Sequence, residues 1–307
     1  MKLTSSIFAS MLVLGLTTEV QAAALGNVWL LGDSVTQGRG FDADTNIANE
    51  WGYRYELWKT LNTNGDTFDF VSAGTPTSNG FDEDNRYYGP SGATLPEPGF
   101  DRDHEGRAGW STSDVLNNGD SSNGNINHWL GTTPVTGFTS VTPDTTFIFL
   151  GLNDIISTND GGGNAHGTAT DIVNRLNSIV SKVDAADGAN GQIFVGTLYD
   201  YDFAEYSQFS SQRSAADQEA LVDGVNALLN DGTTLNTTAT LVDLTTGFDW
   251  NTFTNDGLHP GDVGAQFVAS KFYDAATASG PTAVPVPAAV WLFGSALLGL
   301  IGTRRKT

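Results

Sequence analysis

Five short apolar runs punctuate the chain: Asn27 to Leu31, Thr67 to Ser72, Thr145 to Leu150, Gln192 to Thr197 and Ala239 to Leu244. Each has the length and composition of a buried strand, and helix-length patterns lie between them. The clearest places Ile172, Leu176, Ile179 and Val183 three or four residues apart on one face, widened by Val173 and Val180. Others run over Glu50 to Leu61, Ala215 to Leu229 and Val263 to Ala276. Strands that alternate with helices are joined by crossovers, which make neighbouring strands parallel and cover both faces of the sheet. The alternation predicts a three-layer α/β/α sandwich around a parallel sheet of about five strands, in one domain over residues 25–278. A hydrophobic content of 39% is ample for its core. The interval from Ala73 to Arg107, rich in Gly, Pro, Asp and aromatics, shows neither periodicity and reads as a long loop, functional or disordered.

The residues that carry chemistry sit at the carboxyl ends of these strands, where open α/β sheets build their sites. Ser34 follows the first run in Leu30-Leu31-Gly32-Asp33-Ser34; taken alone, Asp33 or Ser34 could simply cap the next helix. Asp256-Gly257-Leu258-His259-Pro260 lies between the last strand and the last helix, where a three-residue offset can bring carboxylate and imidazole together. In that arrangement Asp256 fixes the tautomer of His259, whose other nitrogen takes the proton of Ser34; taken alone, Asp256 and Gly257 could equally make a turn with His259 on a surface loop. Asn153, in Leu150-Gly151-Leu152-Asn153-Asp154, can donate to an oxyanion, although Asn-Asp also makes turns. Gly109, in His104-Glu105-Gly106-Arg107-Ala108-Gly109-Trp110-Ser111-Thr112, can bring its backbone N–H close to a carbonyl. Ser111 and Asp114 make a capping box just after it.

Ser, Gly, Asn, Asp and His occurring together in this order resemble the SGNH/GDSL hydrolase family, whose four blocks map onto Gly32-Asp33-Ser34, Gly109, Gly151-Leu152-Asn153-Asp154 and Asp256-Gly257-Leu258-His259. Trp51-Gly52-Tyr53-Arg54, His104-Glu105-Gly106 and the final His-Pro are similar to carbohydrate esterase family three, the acetyl xylan esterase group, although the segment from Thr75 to Gly99 is longer than that group leads one to expect. The resemblance implies a flavodoxin-like sheet and a serine esterase working through an acyl-enzyme. Ser34, Asp256 and His259 would form the triad, with Ser34, Gly109 and Asn153 as the oxyanion hole and Trp110 and Asp33 at the substrate. No cofactor is implied. The expected substrate is an acetylated neutral polysaccharide; the alternatives are a lipase or arylesterase for longer acyl chains, and a non-catalytic surface or matrix protein.

The two ends read as address signals. Lys2, an apolar run from Ile7 to Leu16 and small residues at Ala22, Ala23 and Ala24 have the layout of a secretory signal peptide over residues 1–24, cut near Ala24. After a linker with the proline motif Val284-Pro285-Val286-Pro287 (residues 279–287), an apolar run and Arg304-Arg305-Lys306 close the chain as a sorting or anchor segment, residues 288–307. This tail resembles the PEP-CTERM signal that exosortases recognise in some Gram-negative bacteria, with Val where Glu is usual; a plain membrane anchor is the other reading. Either way the chain is expected to be exported across the inner membrane to the cell surface or beyond, meeting the membrane through the tail.

Without cysteine, the domain must be stable without disulfides, and a thiol nucleophile is excluded. From Leu25 to Ala283 the chain holds 34 acidic and 10 basic residues. Such a surface repels nucleic acid, anionic lipid and polyuronates. Asp42, Asp44, Asn46 and Glu50 loosely imitate the start of a calcium loop, but Ile47 stands where that loop needs Gly, so no metal is expected.

Overall fold

A computed structural model of the chain describes residues 22–38, 51–73, 97–117, 124–134, 139–156, 167–187, 191–208 and 213–278. The expected signal peptide up to residue 21, the loop acids Asp42, Asp44, Asn46 and Glu50, the middle of the long loop and the C-terminal tail lie outside the described residues.

The sheet is parallel throughout. Its main strands are β1 (Ala24–Gly32), β2 (Thr67–Val71), β4 (Thr145–Phe149), β5 (Gln192–Gly196) and β6 (Ala239–Val242), in the order β2-β1-β4-β5-β6. All five match the expected runs to within a few residues. The loop reading of residues 73–107 needs correcting at one point: Glu105–Gly106 forms a two-residue strand, β3, paired with Leu31 and Gly32 of β1. Two polar or small residues carry no periodicity, and only backbone pairing to the end of β1 reveals them.

The helices α1 (Ser34–Gln37), α2 (Gly52–Asn64), α3 (Thr112–Asn117), α4 (Ile126–Trp129), α5 (Leu152–Ile156), α6 (Ala169–Asp187), α7 (Phe203–Tyr206), α8 (Ala215–Asn230), α9 (Trp250–Phe253) and α10 (Asp262–Ala278) follow in chain order. α2 packs on α10 in one layer, and α6 packs on α8 and α3 in the other. The stripe read from the sequence of α6, from Ile172 to Val183, is buried throughout. On the α10 side, Phe147 of β4 stacks on Phe194 of β5, ring centroids 5.2 Å apart, and meets Phe272 edge-on. Strand order reverses between β1 and β4, which is the crevice where sheets of this kind place their ligands.

Candidate active site

Ser34 begins α1 directly after β1. Gly32 is required there because a Cβ would stand 2.1 Å from Thr36 Oγ1 and 2.4 Å from the Phe149 carbonyl oxygen. The short helix is held from outside by α2. Arg54, buried, donates from Nε to the Thr36 carbonyl and from Nη2 to that of Gln37, satisfying helix-end acceptors that α1 cannot satisfy itself. The Tyr53 hydroxyl shares a hydrogen bond of 3.0 Å with Thr36 Oγ1. Two residues of Trp51-Gly52-Tyr53-Arg54 thus have a mechanical task, fixing the turn that carries Ser34.

From the far end of the chain, 225 residues away, His259 Nε2 comes to 2.8 Å from Ser34 Oγ. His259 Nδ1 lies 2.7 Å from Asp256 Oδ2, and Asp256 Oδ1 accepts the backbone N–H groups of Leu258 and His259 at 3.0 and 2.7 Å. Burial pushes the Asp256 carboxyl up, but the His259 hydrogen bond and charge, with the two backbone donors, outweigh it and leave the group below its ordinary value. Ser34 and His259 are each 5% exposed, so the hydrogen-bonded chain is largely withdrawn from solvent.

The Asp256–His259 loop is itself clamped. Tyr199 donates its hydroxyl to the Leu258 carbonyl at 3.0 Å, and the Asp202 N–H donates to that of Gly257 at 2.7 Å. Gly257 has φ 84°, and a Cβ there would meet Asp202 Cβ at 2.8 Å. Burial, and after it the charge and hydrogen bonding of the Asp256 carboxylate, push the Tyr206 phenol up.

The turn bearing Gly109 and the Asn153 side chain are tied to the end of β1 and to each other through short contacts. β3 leads into a turn over Arg107–Trp110, closed by the Trp110 N–H on the Arg107 carbonyl and tied to β1 by the Arg107 N–H on the Gly32 carbonyl at 2.9 Å. Gly109 occupies the left-handed position of this turn, φ 78°, with nothing of the protein within 4 Å of where a Cβ would stand. The conformation, rather than crowding, calls for glycine. Gln37 Oε1 accepts the neighbouring Ala108 N–H at 2.9 Å, and Asn153 donates from Nδ2 to the Trp110 carbonyl at 3.1 Å. An amide nitrogen has two hydrogens, so Asn153 keeps one for another acceptor.

Asp33 requires a correction. Expected at the substrate, it is fully buried, its Oδ1 capping α1 through the Val35 N–H at 2.9 Å. Burial pushes its carboxyl up to about 7, with the charge of Asp154 adding to the rise against the Val35 hydrogen bond. The sequence fixes its place at the strand end but not the inward turn of its side chain, which the capping reading alone anticipates. Trp110, the other expected substrate contact, is half-buried and stacks on Trp129 at 5.7 Å, with the Arg107 guanidinium 5.6 Å from its ring. His104 is buried and accepts the Gly106 N–H on Nδ1; burial, and then the charge of Arg54, holds it well below its ordinary value, so it works as a neutral brace.

Sequence reasoning missed the brace beneath Asn153. Asp154, fully buried, accepts the Thr112 N–H at 2.8 Å and hydroxyl at 2.5 Å and pairs with Arg175 Nη2 at 2.9 Å, while Arg213 donates to the carbonyls of Asp154 and Ile155. The available signal was Arg175 lying within the apolar register of α6 in a chain poor in cations.

No protein-family model matches the chain, and no curated protein matches it. Solved structures do. A carbohydrate esterase family 3 structure from Talaromyces cellulolyticus is 23% identical with a TM-score of 0.52, covering 81% of this chain and 94% of its own. A mutant acetyl esterase with acetate ion is 22% identical with a TM-score of 0.51, covering 83% of this chain and 100% of its own. The likeness is one of fold. It places the chain's sheet and helices in the α/β arrangement of those two structures.

Proposed function

We propose that the chain is an exported serine esterase that removes O-acetyl groups from a neutral polysaccharide through an acyl-enzyme. The hydrogen-bonded chain Ser34–His259–Asp256 at the strand-order reversal carries the reading. His259 Nε2 takes the proton of Ser34 Oγ as that oxygen attacks the ester carbonyl; the charge that develops on the carbonyl oxygen meets the Asn153 amide and the backbone N–H groups of Ser34 and Gly109. His259 then gives its proton to the departing alcohol, and water repeats the sequence to release the carboxylic acid. Asp256 stays ionised throughout and stabilises the imidazolium.

A small acyl group and a sugar leaving group are supported by the half-buried Trp110 beside Asn153, since an aromatic face suits a sugar ring. The acidic balance of the chain disfavours anionic phospholipid and pectin. The fold neighbours named as a carbohydrate esterase and an acetyl esterase agree with this choice. Export rests on the N-terminal apolar run with its alanines, and release by an exosortase-type enzyme rests on the proline motif and terminal cations.

The test is a hydrolysis panel of acetyl through octanoyl aryl esters and acetylated xylan, with Ser34→Ala as control. Acetyl esters should be cleaved faster than octanoyl esters, with acetate released from the glycan. A preference for octanoyl would move the assignment to a lipase-type esterase, and equal turnover by Ser34→Ala would remove the esterase reading altogether.

A further inference from the structure

Three consecutive alanines, Ala22 to Ala24, follow the N-terminal apolar run, and each is small enough for a leader peptidase. The fold distinguishes between them. Ala24 is the first residue of β1 and pairs with Thr67 of β2. Ala23, 8% exposed, belongs to the hydrophobic core, and its carbonyl accepts the Thr67 N–H at 2.9 Å. Its own N–H points at a carboxylate: Asp66 Oδ1 accepts it at 2.6 Å. The second oxygen, Asp66 Oδ2, is shielded from solvent and takes no hydrogen bond. Burial, and after it the charge and a long hydrogen-bonding approach of Asp66, push the phenol of Tyr273 on α10 up, while among the described residues no donor meets Oδ2 in full hydrogen-bonding geometry.

We infer that the leader is cut between Ala22 and Ala23, and that Asp66 is the binding site for the α-ammonium group so created. Water hydrolyses the Ala22–Ala23 amide in the peptidase, leaving a carboxylate on the departing leader and an amine on Ala23 that is protonated at neutral pH. One amide hydrogen facing two carboxylate oxygens becomes three ammonium hydrogens, enough for Oδ2 as well as Oδ1, in an ion pair at the edge of the sheet. The neighbouring cuts fit poorly. A cut after Ala23 removes the carbonyl that Thr67 needs and leaves Asp66 without its donor. A cut after Ala24 removes both residues and puts a charge on Leu25, which is 3% exposed and whose carbonyl already accepts the Thr145 hydroxyl.

This rests on the export reading and is separable from it. The full chain is expressed in a Gram-negative host, the exported protein is purified, and its N-terminus is sequenced. Ala23 is the expected first residue. Ala24 or Leu25, or an intact Met1 on exported protein, would overturn the cut site while leaving export standing; retention of the whole chain in the cytoplasm with Met1 intact would overturn both. Capture by Asp66 is tested on the same processed protein with Asp66→Asn. Pairing raises the ammonium pKa above the ordinary α-amino value of about 8. Its stabilisation is therefore complete below that value and lost as pH rises through the raised one. The melting temperature of Asp66→Asn should lie several degrees below the parent at pH 7 and converge on it by about pH 10. Equal melting at pH 7, or a gap that persists unchanged to pH 10, would overturn the ion pair.

Discussion

Replacing Asp256 by Asn tests the triad at its least obvious member. The amide must keep an oxygen at the Oδ1 position, because the N–H groups of Leu258 and His259 both point there at 3.0 and 2.7 Å. Turning it over would set an NH2 group against two donors and forfeit two hydrogen bonds, about 1 kcal/mol each. The nitrogen is thereby forced to face His259 Nδ1, where the carboxylate now stands at 2.7 Å. It donates, so the ring must carry its own hydrogen on Nε2, the atom that faces Ser34 Oγ at 2.8 Å and has to accept a proton from it. The wrong tautomer is locked in and the imidazolium loses its counter-charge. A loss of about 10⁴ in kcat is expected, or about 5.5 kcal/mol of transition-state stabilisation. The assay is p-nitrophenyl acetate hydrolysis at saturating ester and pH 8, with melting temperature as the control for folding; both backbone donors keep their acceptor, so melting should move by only a few degrees. A kcat within tenfold of the parent would refute the argument.

If Asn153 donates to the oxyanion as proposed, Asn153→Ala should lower kcat by about 10²–10³ with little change in melting temperature, since among the described residues its side chain holds just the Trp110 carbonyl. Gln37→Ala removes the acceptor of the Ala108 N–H and loosens the turn bearing Gly109; kcat should fall about tenfold and recover in Gln37→Glu, which restores an acceptor oxygen. Asp33, raised to about 7 by burial, is protonated more readily in the folded than in the unfolded protein, so its contribution to stability falls as pH rises from about 4 to 7. Melting curves of Asp33→Asn against the parent should show a difference that grows in the mutant's favour across that window, and a constant difference would remove the burial argument.

The strands and long helices were legible because burial writes its period into the chain: Phe147, Ile148 and Phe149 could only be interior, and the α6 stripe could only face a sheet. Ser34, Asn153 and His259 were legible because strand ends are where chemistry accumulates. What stayed hidden depends on contacts between elements. Gln37 reads as a polar helix-end residue until β3 brings Ala108 beneath it, and Thr112 reads as helix filler until Asp154 and Arg175 converge on it. Asp33 shows the same limit from the other side, since sequence locates a residue without saying which way its side chain turns.

The two-residue strand has a further consequence. On one edge of β1, β2 pairs as far as Trp29, and β3 takes up the same edge at Leu31, so the chain leaves the sheet after β2 and rejoins it almost where it left. Glu105 Oε2 fastens the return by accepting the Ala73 N–H at 2.9 Å, and Asp101 Oδ2 accepts the Phe70 N–H beside it. Whatever runs between those fastened points is grafted onto a closed base. Because loop closure costs only slightly more as a loop lengthens, the length of chain between those points can change at little cost to the pairing that holds Ser34 and the Arg107–Trp110 turn in register.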